Sequence, residues 1–516
     1  MASVRTPSFG TLWKLVAIVA VAAAVLPASA MASQAAPESV AAAPSGGPAA
    51  QTAVPPLWSM APFVLLLLAI AIVPLLGRCR PFWERNRNKL LVALALSGLT
   101  LLYYYFLHPI PAGAGAGAEG ASRLGLIRHV LTAAILEAYI PFIVLLLVLY
   151  TISGGIRLEG DLAAHPRTNT AFLAAGGLLA SFIGTTGAAM LLIRPLLDTN
   201  SQRRHVRHTV IFFIFVVCNV GGCLLPIGDP PLFLGYLRGV PFLWTLRLAI
   251  PWAFCTAILL AIYYVWDLVM YRREKPEDIR IDEVNRRPLR LTGKRNLIYL
   301  LGVVLAVGLL IPGKRLPFLG PFVVPEFLRE AVMLGLAGLS LLSTPRGLRR
   351  ANLFTFAPIA EVAALFLGIF ITMQAPIEIL QARGPSLGLR EPWQFFWASG
   401  GLSSFLDNAP TYLVFFETAD SLTHAPGDGI LQLLGGHYIR VDLLVAVSLG
   451  SVFMGANTYI GNGPNFMVKT VAQERGVNMP SFFGYMLYSI AILIPLFLLV
   501  TIVFFVLVLA DHLPGL

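Results

Sequence analysis

Charge is what this chain has least of. Only 12% of its 516 residues are Asp, Glu, Lys or Arg, about half the share of a soluble globular chain. No long polar block exists that could form a soluble domain. The four cysteines, Cys79, Cys218, Cys223 and Cys255, form no CxxC pair and lie beside no histidine cluster. That argues against a disulfide framework or a zinc module and leaves them as small apolar packing residues. The histidines fall mostly in loops (His165, His205, His208, His424, His437 and His512), without metal spacing. Neither an HExxH pair nor a positioned nucleophile and base is found, which argues against an intramembrane enzyme.

What the chain has is apolar length. Hydrophobic residues make up 57% of it and the mean hydropathy is +0.77. Apolar runs of about 20 residues recur along it, as bilayer spans require. The net charge of +11 would suggest nucleic acid in a soluble chain. Here the basic residues sit in short loops between apolar runs, so they report topology and no nucleic-acid partner is expected. At the N-terminus, Arg5 and Lys14 flank the run Leu15 to Leu26, followed by the small-residue pattern Pro27-Ala28-Ser29-Ala30. Residues 1–30 read as a secretory signal peptide, with an uncleaved first helix as the alternative. Residues 31–58, rich in Ala, Pro, Ser and Gln, read as a disordered linker.

Ten full spans are expected, at roughly 60–77, 89–107, 131–153, 209–235, 242–270, 296–312, 328–343, 355–381, 441–468 and 483–510. The stretches 170–199 and 394–419 are interrupted by polar and small residues and read as re-entrant hairpins. Charge supports this layout. Loops 78–89, 154–169, 200–208, 271–295, 344–350 and 469–476 carry 24 Lys and Arg, against 10 in the opposite loops. The basic side is cytoplasmic by the positive-inside rule. Counting either hairpin as a full span would spoil the pattern.

Motifs recur between the halves. Ala174-Ala175-Gly176-Gly177-Leu178, before Ser181 to Thr186, matches Ala398-Ser399-Gly400-Gly401-Leu402, before Ser404 to Asn408. A tighter pattern, G-x4-I-G-x2-P-x-F, spans Gly222 to Phe233 and again Gly455 to Phe466. Each half has five crossings, an odd number, so the second half enters the membrane upside down, as in secondary transporters. The fold class is therefore all-α integral membrane, with two inverted five-helix repeats at 59–270 and 296–516. A basic cytoplasmic loop at 271–295 joins them, and each repeat holds a hairpin and a broken helix.

Gly228-Asp229-Pro230-Pro231 and Gly461-Asn462-Gly463-Pro464 cannot continue a helix. Within lipid, such breaks survive only in protein or beside a wet cavity. Two ion or substrate sites are expected, one per repeat. The first joins the hairpin tip Ser181, Gly184, Thr185, Thr186 and Gly187 to the break Asn219 to Pro231, with Gly228 and Asp229. The second joins Ser403, Ser404, Asp407, Asn408 and Thr411 to Gly455–Asn465, with Asn457, Thr458, Asn462 and Asn465. The alternative is a pair of glycine packing hinges.

These residues carry a resemblance. Ile183-Gly184-Thr185-Thr186-Gly187-Ala188, Gly228-Asp229-Pro230-Pro231 and Asp407-Asn408-Ala409-Pro410 resemble the ion transporter superfamily over roughly 60–510. The branch they resemble comprises citrate transporter-like proteins and NhaD-type sodium/proton antiporters. The dicarboxylate carriers of that superfamily bear Ser-Asn-Thr at both tips. Here the tips read Gly-Thr-Thr and Asp-Asn-Ala.

Charge bears on the cargo. Asp229 and Asp407 sit at the breaks, while Glu137, Glu361 and Glu378 lie in or near spans, and Arg194 reads as the only basic residue inside a membrane element. Each ionisable group at depth costs at least about 2.5–3.5 kcal/mol and marks function by default. Glu361 is a candidate proton relay, Glu137 a partner for Arg128, and Glu378 an interfacial residue. Excess carboxylate suits Na⁺ and H⁺ bound within the same residue set. Sodium/proton antiport is therefore the leading expectation, and Asp407→Asn should abolish it. Cation-coupled symport of citrate or another carboxylate is the alternative, with arsenite efflux and a channel behind it. No cofactor is expected beyond transported Na⁺ and H⁺. The expected partners are the bilayer, small ions or small carboxylates, and a homodimer is compatible. The expected location is the cell membrane, as a multi-pass protein.

Overall fold

The computed structural model describes residues 54–76, 78–109, 122–284, 286–315, 322–423 and 425–507. The expected signal segment, most of the linker, and His424 and His512 lie outside the described residues. The chain is an all-α membrane protein. Among the described residues, sheet is confined to two short antiparallel ribbons: β1 (Arg157–Asp161) with β2 (Arg287–Thr292), and β3 (Ile430–Gln432) with β4 (Tyr438–Arg440).

The first helices are α1 (Ala61–Ile72), α2 (Asn86–Phe106) and α3 (Arg123–Ser153). The middle of α3 widens into a π-helical segment, Thr132–Tyr139. Then follow α4 (Pro166–Ile183), α5 (Thr185–Thr199), α6 (Arg207–Val216), α7 (Pro230–Leu237) and α8 (Ala249–Tyr271). The second half comprises α9 (Arg295–Leu309), α10 (Leu328–Ser343), α11 (Ala357–Thr372), α12 (Gln374–Arg383), α13 (Pro392–Ser403), α14 (Asn408–Asp420), α15 (Val441–Met454), α16 (Gly463–Glu474) and α17 (Phe482–Val500).

Each of the ten segments expected as spans contains helix among the described residues. Four of the described helices are long and apolar enough to cross a bilayer unaided: Asn86–Phe106, Arg123–Ser153, Phe242–Tyr271 and Phe482–Leu507. A fifth segment, α11 with α12, qualifies only as a pair bent by 43°. The others are shorter apolar helices or are broken. The segment expected at 209–235 is α6, a 3-10 turn Val220–Cys223, an irregular stretch and α7. The segment expected at 441–468 is α15, a 3-10 turn Gly455–Asn457, an irregular stretch and α16. These breaks carry Gly221, Gly222, Pro226 and Gly228 in the first and Gly455 and Gly461 in the second; glycine weakens a helix and proline removes a donor.

The 170–199 stretch does not run straight. Helices α4 and α5 meet at Gly184, whose φ of +79° is open to glycine and strained for other residues. Their far ends are tied together: Asn169 Nδ2 donates to Asn200 Oδ1 at 2.9 Å, and Asn200 Nδ2 to Asn169 Oδ1 at 2.8 Å. The element therefore starts and finishes at one side. Helices α13 and α14 pack on one another around residues 404–407.

Loops that share a side by charge also touch. Strands β1 and β2 join loop 154–169 to loop 271–295. Asn296 Nδ2 reaches Gly155 O at 2.9 Å, and Asn352 Nδ2 reaches Gly154 O at 3.0 Å. On the other side, Leu434 N bonds Gly239 O at 3.0 Å, and Arg440 Nη1 reaches Arg390 O at 3.3 Å.

The helices pack as two groups. In one, α2 lies on α11 and α10 lies on α3 and α9. In the other, α13 lies on α15, α7 on α14, α5 on α16, and α8 on α4 and α6. The second group holds both hairpins and both breaks.

Candidate functional site

The two hairpin tips and the two breaks end in half-helices. Thr185 opens α5, Asn408 opens α14, Asp229 precedes α7 and Asn462 precedes α16. Free N–H groups at these starts favour negative charge or polar oxygen. Close backbone approach is what lets the ends meet. A Cβ on Gly228 would stand 2.3 Å from Gly222 O, and one on Gly461 would stand 2.6 Å from Gly455 O. Only glycine fits at either position.

Asp229 is the centre. Its carboxylate is 1% exposed and accepts three hydrogen bonds. Asn408 Nδ2 donates to Oδ2 at 2.6 Å, Thr185 Oγ1 to Oδ1 at 3.1 Å, and Asn462 Nδ2 to Oδ1 at 3.2 Å. Both tips and the second break thus converge on a residue of the first break. The expectation of two separate sites is corrected here: the sets form one cluster, because half-helices from the two halves of the chain pack against each other.

Asparagines tie the breaks together. Asn219 Nδ2 donates to Asn465 Oδ1 at 2.8 Å and to Ile214 O at 2.9 Å. Asn462 Nδ2 also reaches Cys218 O at 2.9 Å. Asn465 Nδ2 serves Gly455 O and Thr458 O, both at 2.9 Å. The serines brace each hairpin on its own break. Ser181 Oγ donates to Gly221 O at 2.6 Å and accepts from Leu224 N at 3.0 Å. Ser404 Oγ donates to Met454 O at 3.2 Å and accepts from Asn457 Nδ2 at 2.9 Å. Thr458 Oγ1 donates to Ser404 O at 2.5 Å and accepts from Ile460 N and Gly461 N.

Other expected site residues stand at the margin. Asp407 is half-buried and caps α14, its Oδ1 accepting from Ala409 N at 3.2 Å. Thr411 Oγ1 bonds Asp407 O within its own helix. Thr186 is half-buried, and its hydroxyl is not among the groups bonded to Asp229.

Two buried acceptors in the cluster, Asn408 Oδ1 and Asn457 Oδ1, have no hydrogen-bond partner. A buried polar atom left unpaired costs about 1–3 kcal/mol, and hard oxygen donors of this kind suit small cations.

Glu361 belongs elsewhere. It pairs with Lys89 at 2.5 Å, between α11 and α2. Lys89 is buried in the first turn of α2, so Arg194 is not the only basic residue within a membrane helix. A buried ammonium needs a counterion, and Glu361 supplies it. Glu378 is held by Tyr104 Oη at 2.7 Å and His108 Nε2 at 2.9 Å. Glu137 is exposed on the π-helical segment.

A second polar network escaped the sequence. Asp267 is fully buried near the end of α8. Around it gather Arg203 Nη2 at 2.6 Å, His208 Nε2 at 2.9 Å, and Asn169 Nδ2 and Tyr263 Oη at 3.2 Å each. It fixes the loop-side ends of α4, α6 and α8. The only signal was an aspartate in the last turns of an apolar run.

No curated protein matches this chain. The family described as "Putative citrate transport" matches residues 51–505, which takes in both hairpins, both breaks and nearly all of the described helices, and the chain belongs to that family.

Proposed function

We propose that this transporter exchanges Na⁺ for H⁺ at a single cluster centred on Asp229, built from two inverted repeats. One observation carries the reading. A fully buried carboxylate accepts from both hairpin tips and the opposite break, while Oδ1 of its donor Asn408, and Oδ1 of Asn457 on Ser404, stay unpaired. The donors to Asp229 are Thr185, Asn408 and Asn462, and Asp407 accepts from Ala409 N. The described cluster is thus built of carboxylate, amide and hydroxyl groups, which favours a cation over a citrate trianion.

The amides explain how one group serves two ions. An asparagine carries an NH₂ edge and an oxygen edge. With its NH₂ toward Asp229, Asn408 satisfies a bare carboxylate. A half-turn about Cβ–Cγ presents Oδ1 instead, beside a carboxylate that then shares a cation. A proton on Asp229 displaces the cation from the same oxygens, so competition for one carboxylate couples the two fluxes. Asp407, half-buried at the tip, gives the exchanged ion a second carboxylate.

Cation-coupled carboxylate symport is the second reading. The family's description favours it, and so does Arg194, which is half-buried, takes part in no hydrogen bond or ion pair among the described residues and lines a cavity at the basic side. Reconstituted protein separates the two: antiport moves protons on a Na⁺ gradient without carboxylate, and symport accumulates labelled citrate.

A further inference from the structure

Arg329 and Glu330, in the first turn of α10, are both nearly fully buried. Burying an ion pair adds little stability, because desolvation offsets the attraction. The position of this one suggests a different role. Arg329 Nε and Nη2 donate to Glu330 Oε1 at 2.8 and 2.5 Å. Its Nη1 donates to Tyr236 Oη at 3.3 Å, and its guanidinium lies over the Tyr236 ring, 5.5 Å from the centroid. Tyr236 Oη in turn donates to Val307 O of α9 at 2.6 Å. Tyr236 lies on α7, the half-helix that follows Asp229, seven residues along and so roughly 10 Å away.

One phenol therefore fastens the group that carries the cluster to two helices of the other group. This contact lies at the poorly charged, outer side. At the basic side the two groups touch where α5 meets β1 and the end of α3, and a cavity lies beside that contact. This cavity of about 920 Å³ is lined by Met190, Arg194 and Asp198 of α5, Val471 and Glu474 of α16, and Ile156, β1 and Leu353. The α5–α7 axis thus carries the Tyr236 contact at its outer end and a solvent cavity at its basic end.

We propose that Tyr236, Arg329 and Glu330 form a latch that holds the outer path shut while the cytoplasmic path is open. This rests on the reading of the chain as an alternating-access transporter, and it does not depend on the cargo. The chemistry makes the latch reversible. Arg329 and Glu330 are neighbours on one helix, so the guanidinium keeps its counterion when α7 moves away. Only the bonds of one hydroxyl and one ring contact are given up. Tyr236 and Arg329 are thus positioning residues, acting on Asp229 through the placement of α7.

The test needs no substrate. In the full chain, Cys79, the one exposed cysteine, is replaced by Ser, and Met190→Cys and Val307→Cys are introduced together. Position 190 lines the cavity, and position 307 is buried beside the latch with its carbonyl bond intact. Membrane vesicles of each orientation are treated with an impermeant maleimide. Tyr236→Phe removes the hydroxyl alone and should raise outer-side labelling at position 307 on the order of tenfold. A bulky adduct there prevents closure, so position 190 on the same chain should become protected. Arg329→Lys keeps the charge beside Glu330 but lacks the planar fork that reaches both partners. It should shift labelling the same way, and it serves if Tyr236→Phe does not fold. Unchanged labelling at position 307 overturns the proposal. So does faster labelling at 307 that leaves position 190 reactive, because that outcome is local fraying of the outer end.

Discussion

Asn408 Nδ2 donates to Asp229 Oδ2 at 2.6 Å across 179 residues of sequence, so the tip of the second hairpin closes on the break of the first. That bond makes one site out of what the repeats suggest as two. Asn408→Ala removes both the donor to the carboxylate and the neighbouring free oxygen. Na⁺-dependent proton movement should fall at least about tenfold, from the loss of one charge-assisted hydrogen bond. Initial rates in proteoliposomes check this, with monodispersity in detergent as the control for folding.

Asp407→Asn is the cleaner probe of the second carboxylate. The side chain makes one described hydrogen bond, to Ala409 N, and asparagine caps a helix about as well as aspartate. Stability should therefore hold while Na⁺-dependent proton movement is lost. Asp229→Asn should cost both, because its new NH₂ would face the donors of Thr185, Asn408 and Asn462. Thermal unfolding of the two variants side by side should show a clear drop for Asp229→Asn alone.

Gly228→Ala and Gly463→Ala form a matched pair. A Cβ at Gly228 meets Gly222 O at 2.3 Å, whereas at Gly463 nothing lies within 4 Å. The first should destabilise by about 3 kcal/mol or fail to fold, through backbone overpacking. The second should be neutral or slightly stabilising, since alanine loses less entropy in a helix. Midpoints of thermal denaturation in one detergent decide it.

Outside the membrane helices, Glu274 gives a pH dependence. Burial alone would raise its carboxyl. The N–H groups of His205 and Arg204 and the Arg203 guanidinium outweigh burial and hold it below its ordinary 4.5. A lowered folded value means that the stabilisation is fully present above 4.5 and is lost as pH falls through the folded value. Hydrogen exchange at residues 203–206 should therefore be protected at neutral pH and rise on acidification below that range. Glu274→Gln should remove this dependence and leave exchange fast throughout.

Some of this could be read from the residues. Gly228 to Pro231 and Gly461 to Pro464 announce helix breaks by composition alone. The hairpin at 170–199 follows from charge, since a full crossing there would flip the basic 271–295 loop, which instead pairs with 157–161 through β1 and β2. The Asn408 to Asp229 bond could not be read, because repeat matching groups residues within a half and this contact crosses between halves. Lys89 was hidden by its place at a span end, and Asp267 by the distance in sequence to Arg203 and His208. Those partners are chosen by tertiary packing, which leaves no local pattern.

The central claim is coupled exchange at the Asp229 cluster, with Asp407 as its second carboxylate. Its most direct test loads proteoliposomes with a pH dye, imposes an inward Na⁺ gradient and omits all carboxylate. The account predicts that the wild-type lumen turns alkaline as Na⁺ enters and H⁺ leaves, and that Asp407→Asn vesicles do not respond. A lumen pH that ignores Na⁺, together with citrate accumulation on the same gradient once labelled citrate is supplied, would contradict it.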